Sequence, residues 1–270
     1  MDSNAADRER VALEAASAGA TVAATSFRTA ISVETKTSKT DLVTEADRDA
    51  QKAAVARIRE SHANEPVVAE EDGGDGTLPD AESYWIVDPI DGTANFVRGV
   101  RTFCTAVAGV TDGSTIASAL VFPALTDTYV LANGQALLNG EALSVSDRSD
   151  PATCTVSPTL WWNRDRREEY SRACRAIVHR FGDLRRVGCA QAELAMVASG
   201  ALDATLANVG AYPWDTVAGV ALVHAAGGIV TDLDGDCWEP DSEGLVASNG
   251  EIHGDALDAA QSIDAPDGCR

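Results

Sequence analysis

Between Tyr84 and Phe96 the chain reads Tyr-Trp-Ile-Val-Asp88-Pro-Ile-Asp91-Gly-Thr93-Ala-Asn-Phe. A short apolar run of this kind predicts a buried strand, and it delivers two carboxylates three residues apart. Pro89 is expected to stop the sheet, and Gly92-Thr93 marks a point where a helix can begin. Such a junction can bring Asp88 and Asp91 to the same metal ions, with the amides of Gly92 and Thr93 facing a phosphate. A plain turn accounts for Asp91-Gly92, but it does not require the whole of Asp-Pro-Ile-Asp-Gly-Thr.

Two further segments carry carboxylates in informative company. Pro66-Val-Val-Ala69 reads as a short strand ending at Glu70-Glu71. By itself that pair reads as a solvated face. Next to the Asp88 strand, two strand ends can converge their carboxylates. Tyr212-Pro-Trp214-Asp215-Thr-Val-Ala-Gly219 places an acid ahead of an apolar helix. Asp215 can cap that helix, which leaves the adjacent Trp and the run of small residues without a reason. The three segments together form an anionic, oxygen-only set of ligands. Hard oxygen donors without His or Cys suit Mg2+ or Mn2+ rather than zinc. Clustered carboxylates are costly until cations neutralise them, and a phosphate monoester is a natural substrate for such a centre.

Composition decides how much weight an acidic motif can carry. The chain holds 42 acidic and 21 basic residues, a net charge of -21, and its only lysines are Lys36, Lys39 and Lys52. Isolated acidic pairs therefore mean little. A surface this acidic repels nucleic acid phosphates and anionic membranes, and its Lys-poor character fits a salt-adapted cytoplasm. The six cysteines form no C-x-x-C pair and read as reduced, mostly buried thiols. No run of about eighteen apolar residues is present, and Met1 to Arg10 lacks the apolar stretch of a secretory signal. The expectation is a cytoplasmic protein without nucleic acid or membrane partners.

Periodicity predicts helices over 4–30 and 44–61, the second capped by Thr44 with Asp47 three residues on. A polar loop is expected over 32–40. Strands are expected over 66–69, 84–88, 103–111, 114–122 and 127–132, followed by a turn at Leu138-Asn-Gly-Glu. Beyond the polar stretch Ser146 to Pro151, strand-like segments (153–158, 184–187, 202–207, 228–231) alternate with helical ones (166–181, 189–199, 215–226). That division predicts an α+β half over 1–148, carrying most metal ligands, and an α/β half over 149–270, carrying Trp-Asp.

These motifs, in this order, resemble the inositol monophosphatase family, which includes archaeal fructose-1,6-bisphosphatases and bisphosphate nucleotidases. The resemblance rests on Asp41-Leu-Val-Thr-Glu-Ala-Asp47, Glu70-Glu71, Trp85 to Phe96, and Trp214-Asp215-Thr-Val-Ala-Gly219, with weaker echoes at Asn139 to Leu143 and Val187 to Ala190. It implies a layered α-β-α-β-α sandwich with the site between the halves, and commonly a homodimer. It implies two or three Mg2+ ions. Glu70, Asp88 and the carbonyl of Ile90 would hold the first; Asp88, Asp91 and Asp215 the second; a looser third would lie near Glu70 and Glu71. Thr93, paired with Asp47, would orient and help deprotonate the attacking water. Asp91, Gly92, Thr93, Ala190, Asn208 and Lys36 would contact substrate. Inositol phosphatases often carry an acid a few residues before Trp-Asp. Here the segment reads Leu206-Ala-Asn208-Val, so sugar bisphosphates such as fructose 1,6-bisphosphate stand level with inositol phosphate. A 3'(2'),5'-bisphosphate nucleotidase is the alternative enzyme. A non-catalytic metal-binding or regulatory protein of the same fold is the alternative of another class.

Overall fold

The computed structural model describes residues 3–29, 33–35, 42–160 and 162–264. Helix α1 (Ser3–Ser26) is followed by a two-stranded antiparallel ribbon, β1 (Val33–Thr35) and β2 (Leu42–Thr44), and then α2 (Glu45–Ser61). The ribbon puts a strand at 33–35 where a loop is expected, while Lys36 and Lys39 lie outside the described residues. The start of α2 follows from local chemistry. The Thr44 hydroxyl accepts from the Ala46 amide, and Asp47 Oδ2 accepts from the Thr44 amide at 2.8 Å, which completes a capping box.

A seven-stranded sheet follows: β3 (Val67–Ala69), β4 (Ser83–Asp91), β5 (Cys104–Thr111), β6 (Ser114–Phe122), β7 (Asp127–Ala132), β8 (Gln135–Leu138) and β9 (Glu141–Ala142), adjacent in that order. Only the β3/β4 pair is parallel. A short helix, α3 (Thr93–Val97), leaves the end of β4. The second sheet has the order β11-β10-β12-β14-β13. It is built from β10 (Thr155–Pro158), β11 (Asp183–Leu184), β12 (Ala204–Ala207), β13 (Ile229–Thr231) and β14 (Leu245–Ser248), with β10, β11 and β12 mutually parallel. Helices α4 (Arg167–Arg180), α5 (Ala190–Ala198), α6 (Pro213–Ala225) and α7 (His253–Gln261) complete the described chain.

The layers follow from which faces are apolar. In β4, Trp85 and Val87 point to α1 and α2, packing with Val11, Ala15, Ala54 and Ile58. Tyr84 and Ile86, half a pleat away, point to α5 and α6 and pack with Leu194, Trp214 and Val217. A strand buried on both faces reads as an unbroken apolar run. Helices α5 and α6 lie between the two sheets and are apolar nearly all round. On the far face of the second sheet, α4 and α7 bury Ile177, Ala256 and Ala260 against Val156, Leu206 and Val246. The result is the expected α-β-α-β-α sandwich.

Several boundaries differ from the sequence reading. Pro89 does not stop β4, which runs on to Asp91. The strand expected at 184–187 is only Asp183–Leu184, the rest forming the loop into α5. Strand β14 and helix α7 were not anticipated. The first is four residues long, and the second is rich in Ala and Asp with a weak apolar stripe.

Close helix packing supplies a test. A Cβ on Gly219 of α6 would come within 2.6 Å of Leu194 Cβ and 2.7 Å of Gln191 Oε1 on α5. Inside a helix, Ala is otherwise favoured over Gly by about 1 kcal/mol. Gly219→Ala is therefore expected to destabilise by about 1–3 kcal/mol against that propensity. Urea denaturation reads the sign, and a stabilised variant would contradict the packing.

Candidate metal centre and active site

In a regular strand, residues three apart point to opposite faces. Asp88 lies opposite Ala106 in β5 and Asp91 lies opposite Cys104. Three steps along β4 thus match two along β5, so β4 carries one extra residue here, a bulge. The bulge reverses the parity and brings both carboxylates to one side. Pro89 fits inside it because an irregular ladder needs no donor at that position. The Pro89 carbonyl accepts from Thr105 Oγ1 at 2.7 Å.

Asp215, in the first turn of α6, meets them. One carboxylate oxygen each from Asp88, Asp91 and Asp215 lies within 4.8 Å of the others. Glu70 opens a 3-10 turn just beyond Ala69, which pairs with Val87, so the turn ends beside Asp88. Gln51 of α2 steadies that turn, accepting from the Glu71 amide at 2.8 Å and donating to Asp72 at 2.7 Å.

Asp88 is 2% exposed, and its Oδ1 accepts no hydrogen bond among the described residues. Burial, then the charges of Glu70, Asp91 and Asp215, hold its carboxyl well above the usual range. Asp91 is raised to about 6, chiefly by burial, while bonds from Cys189, Gln191 and Ala190 pull it down. A buried carboxylate oxygen without a donor, ringed by other carboxylates, fits a hard divalent cation.

Asp91 is oriented from the other half of the molecule. The amides at the start of α5 donate to it, Ala190 to Oδ1 at 3.2 Å and Gln191 to Oδ2 at 2.6 Å, and Cys189 Sγ donates to Oδ2 at 3.0 Å. The helix dipole adds to these bonds. Gly92 permits the approach: its φ is 88°, and a Cβ there would meet Cys189 Cβ and the Thr102 carbonyl, both at 3.1 Å. Asn95 Nδ2 closes the contact by donating to the carbonyls of Thr102 at 2.8 Å and Val187 at 2.9 Å.

The Thr93–Asp47 pair is assembled. The single O–H of Thr93 has two acceptors in reach, Asp47 Oδ1 at 3.3 Å and the Ile90 carbonyl at 3.0 Å. Asp47 is fully buried, and its other oxygen is engaged by Thr44.

Two expected substrate contacts are differently employed. The Ala190 amide points at Asp91. Asn208 is 5% exposed; its Oδ1 accepts from Trp162 at 2.7 Å and its Nδ2 donates to Glu169 at 2.7 Å and Asp264 at 2.6 Å. These bonds hold the Asn208 amide at the end of β12. Lys36 lies outside the described residues.

Asn95, Gln191 and Glu193 escaped the sequence reading. Glu193 is fully buried, and its Oε1 accepts from Ser157 at 2.8 Å, Arg186 at 3.2 Å and the Val187 amide at 2.9 Å. A lone Glu in an apolar helix was the available signal. An arginine band was also missed. Eight of the 21 basic residues fall between Arg164 and Arg186, against four acidic ones. Arg166 and Arg186 bond to the Asn208 and Leu160 carbonyls at 3.2 and 2.7 Å, just past the C-terminal ends of β12 and β10. Ligands in α/β sheets bind outside such strand ends.

Charge repulsion at Asp88 can be measured without a substrate. With a chelator at pH 8, above the ordinary range of a carboxylate, Asp88→Asn is expected to raise Tm, since it removes a charge the fold disfavours. Mg2+ should raise Tm in the parent and have little effect in the variant. Equal Tm values in chelator would contradict a repulsive cluster.

Residues 5–265 match the inositol monophosphatase family model. A fructose-1,6-bisphosphatase/inositol-1-monophosphatase from Thermotoga maritima is 33% identical over 237 residues, covering 86% of this chain and 87% of the relative. The Nus factor SuhB of Pseudomonas aeruginosa is 33% identical over 224 residues, covering 81% and 82%. Among solved structures, a Thermotoga maritima IMPase superposes with a TM-score of 0.86 at 30% identity, covering 95% of this chain and 98% of that one. A match of this extent, on a sandwich whose carboxylates meet between its halves, makes the chain a member of the inositol monophosphatase family.

Proposed function

We propose that the protein is a Mg2+-dependent phosphomonoesterase that hydrolyses small sugar or polyol phosphates with an activated water. The observation that carries this reading is the convergence of Asp88, Asp91 and Asp215 beside the Thr93–Asp47 pair. Glu70, Asp88 and the Ile90 carbonyl would hold one ion, and Asp88, Asp91 and Asp215 a second; Glu71 would serve a third with Glu70. Bound Mg2+ lowers the pKa of water and offsets the phosphate's charge.

The chain's own groups do the rest. Asp47, its Oδ2 held by Thr44, offers Oδ1 to Thr93. Thr93 can then accept a proton from water while passing its own to Asp47. Gly92 is held left-handed at the start of α3, and the amides of Gly92 and Thr93 would hold the phosphate. The segment before Trp214-Asp215 carries Asn208 in place of an acid, and Asn208 is already bonded to Trp162, Glu169 and Asp264. This supports a sugar bisphosphate over inositol monophosphate. The Thermotoga relative carries both activities in its name.

Relatives named Nus factor SuhB favour a second reading, a regulatory protein of the same fold. Turnover separates the two. Phosphate release is to be measured with Mg2+ in high salt on inositol 1-phosphate, fructose 1,6-bisphosphate and adenosine 3',5'-bisphosphate. Fructose 1,6-bisphosphate is expected to lead, and Thr93→Ala to lower kcat by about 100-fold or more. Full activity in Asp88→Asn would refute the metal assignment, and absence of turnover on every substrate would favour the regulatory reading.

The net charge of -21 with three lysines supports a protein of a salt-rich cytoplasm, and we take the working unit to be a homodimer. No helix among the described residues is long and apolar enough to cross a membrane. Self-repulsion on this scale is screened by salt. Tm is expected to climb steadily from dilute buffer to molar KCl; a Tm indifferent to salt would count against salt adaptation.

A further inference from the structure

Beside the carboxylate cluster lie two thiols that the phosphatase reading does not use. Cys104 opens β5 directly across the ladder from Asp91, and Cys189 precedes α5. The two sulfurs and an Asp91 oxygen all lie within 4.8 Å of one another. The residues are 0%, 1% and 7% exposed. They are closely placed: the Cys189 thiol bonds to Asp91 at 3.0 Å, and the missing Cβ of Gly92 lets the Cys189 side chain come up against the turn.

We infer that Cys104, Cys189 and Asp91 form a binding site for a thiophilic divalent cation of the Zn2+ or Cd2+ class. Sulfurs sharing one tetrahedral zinc, at about 2.3 Å each, stand about 3.8 Å apart. Ligand atoms already within 4.8 Å therefore need only a small contraction to enclose an ion. Soft thiolates discriminate against Mg2+, which leaves the neighbouring all-oxygen cluster to the harder ion.

Net charge does not oppose the exchange. Binding forms two metal–sulfur bonds and one metal–oxygen bond and releases two thiol protons to solvent. A divalent ion thus replaces two protons, and the buried group keeps the net charge that Asp91 alone gave it. No electron is transferred.

Asp91 belongs to both groups, so the two cations compete for one carboxylate. The thiophilic ion would then inhibit phosphatase turnover, a consequence that rests on the function proposed above; the binding itself does not.

The test is a Cd2+ titration of reduced, chelator-stripped protein with Cys237→Ser and Cys269→Ser in the background, because Cys237 is exposed. Thiolate-to-cadmium absorbance in the ultraviolet should saturate at one equivalent. Cys104→Ser or Cys189→Ser should each weaken binding at least tenfold. Cys154→Ser, at a buried thiol in a different core, should leave it unchanged. Cadmium NMR of the background protein, which does not depend on those variants folding, should report two sulfur ligands. A spectrum without sulfur ligation, or equal binding by the Cys104→Ser/Cys189→Ser double variant, would overturn the site. Because absorbance and NMR need no turnover, failure of the phosphatase reading is distinguishable from failure of this one.

Discussion

The geometry of the centre depends on one extra residue in β4. Without the bulge between Asp88 and Asp91, the pleat would turn one of the two carboxylates into the α1/α2 layer, where Val87 and Trp85 pack. With it, both project toward α5 and α6. Everything downstream answers to that choice. The left-handed Gly92 leads the chain away from the bulge, α3 places Thr93 over Asp47, and Cys189 closes against Gly92.

The gathered charge opposes folding. Asp88 and Asp91 are almost fully buried, and their raised proton affinities express that opposition. The two are not compensated alike. Asp91 receives two backbone amides and a thiol from the start of α5. Asp88 Oδ1 receives no hydrogen bond among the described residues. The protein's own groups compensate one carboxylate and leave Oδ1 of the other without a donor among the described residues. Strongly perturbed carboxyl groups of this kind cluster at functional sites.

The features legible in the sequence were those with local causes. Thr44 and Asp47 announce the start of α2 because a capping box is made by residues three apart. Strands β3 to β7 announce themselves as largely apolar runs between turn residues, whereas the short β8 and β9, beginning with Gln135 and Glu141, do not. Asp88, Asp91 and Asp215 could be grouped because their neighbours are too specific for turns or caps. What stayed hidden was set by distant partners. Pro89 reads as a stop, and only the pairing with β5 makes it part of a bulge. Asn208 reads as a substrate contact, and nothing in the sequence announces its bonds to Trp162, Glu169 and Asp264. Cys104 and Cys189 are 85 positions apart in the chain and become neighbours only through the sandwich.

The hold of α5 on Asp91 also orders events in time. All seven strands of the first sheet have been synthesised once residue 142 is made. At that point the amides of Ala190 and Gln191 and the carboxylate of Asp215 do not yet exist. Asp88 and Asp91 are therefore translated well before the groups that meet them, and the cluster is complete only once the chain reaches Asp215.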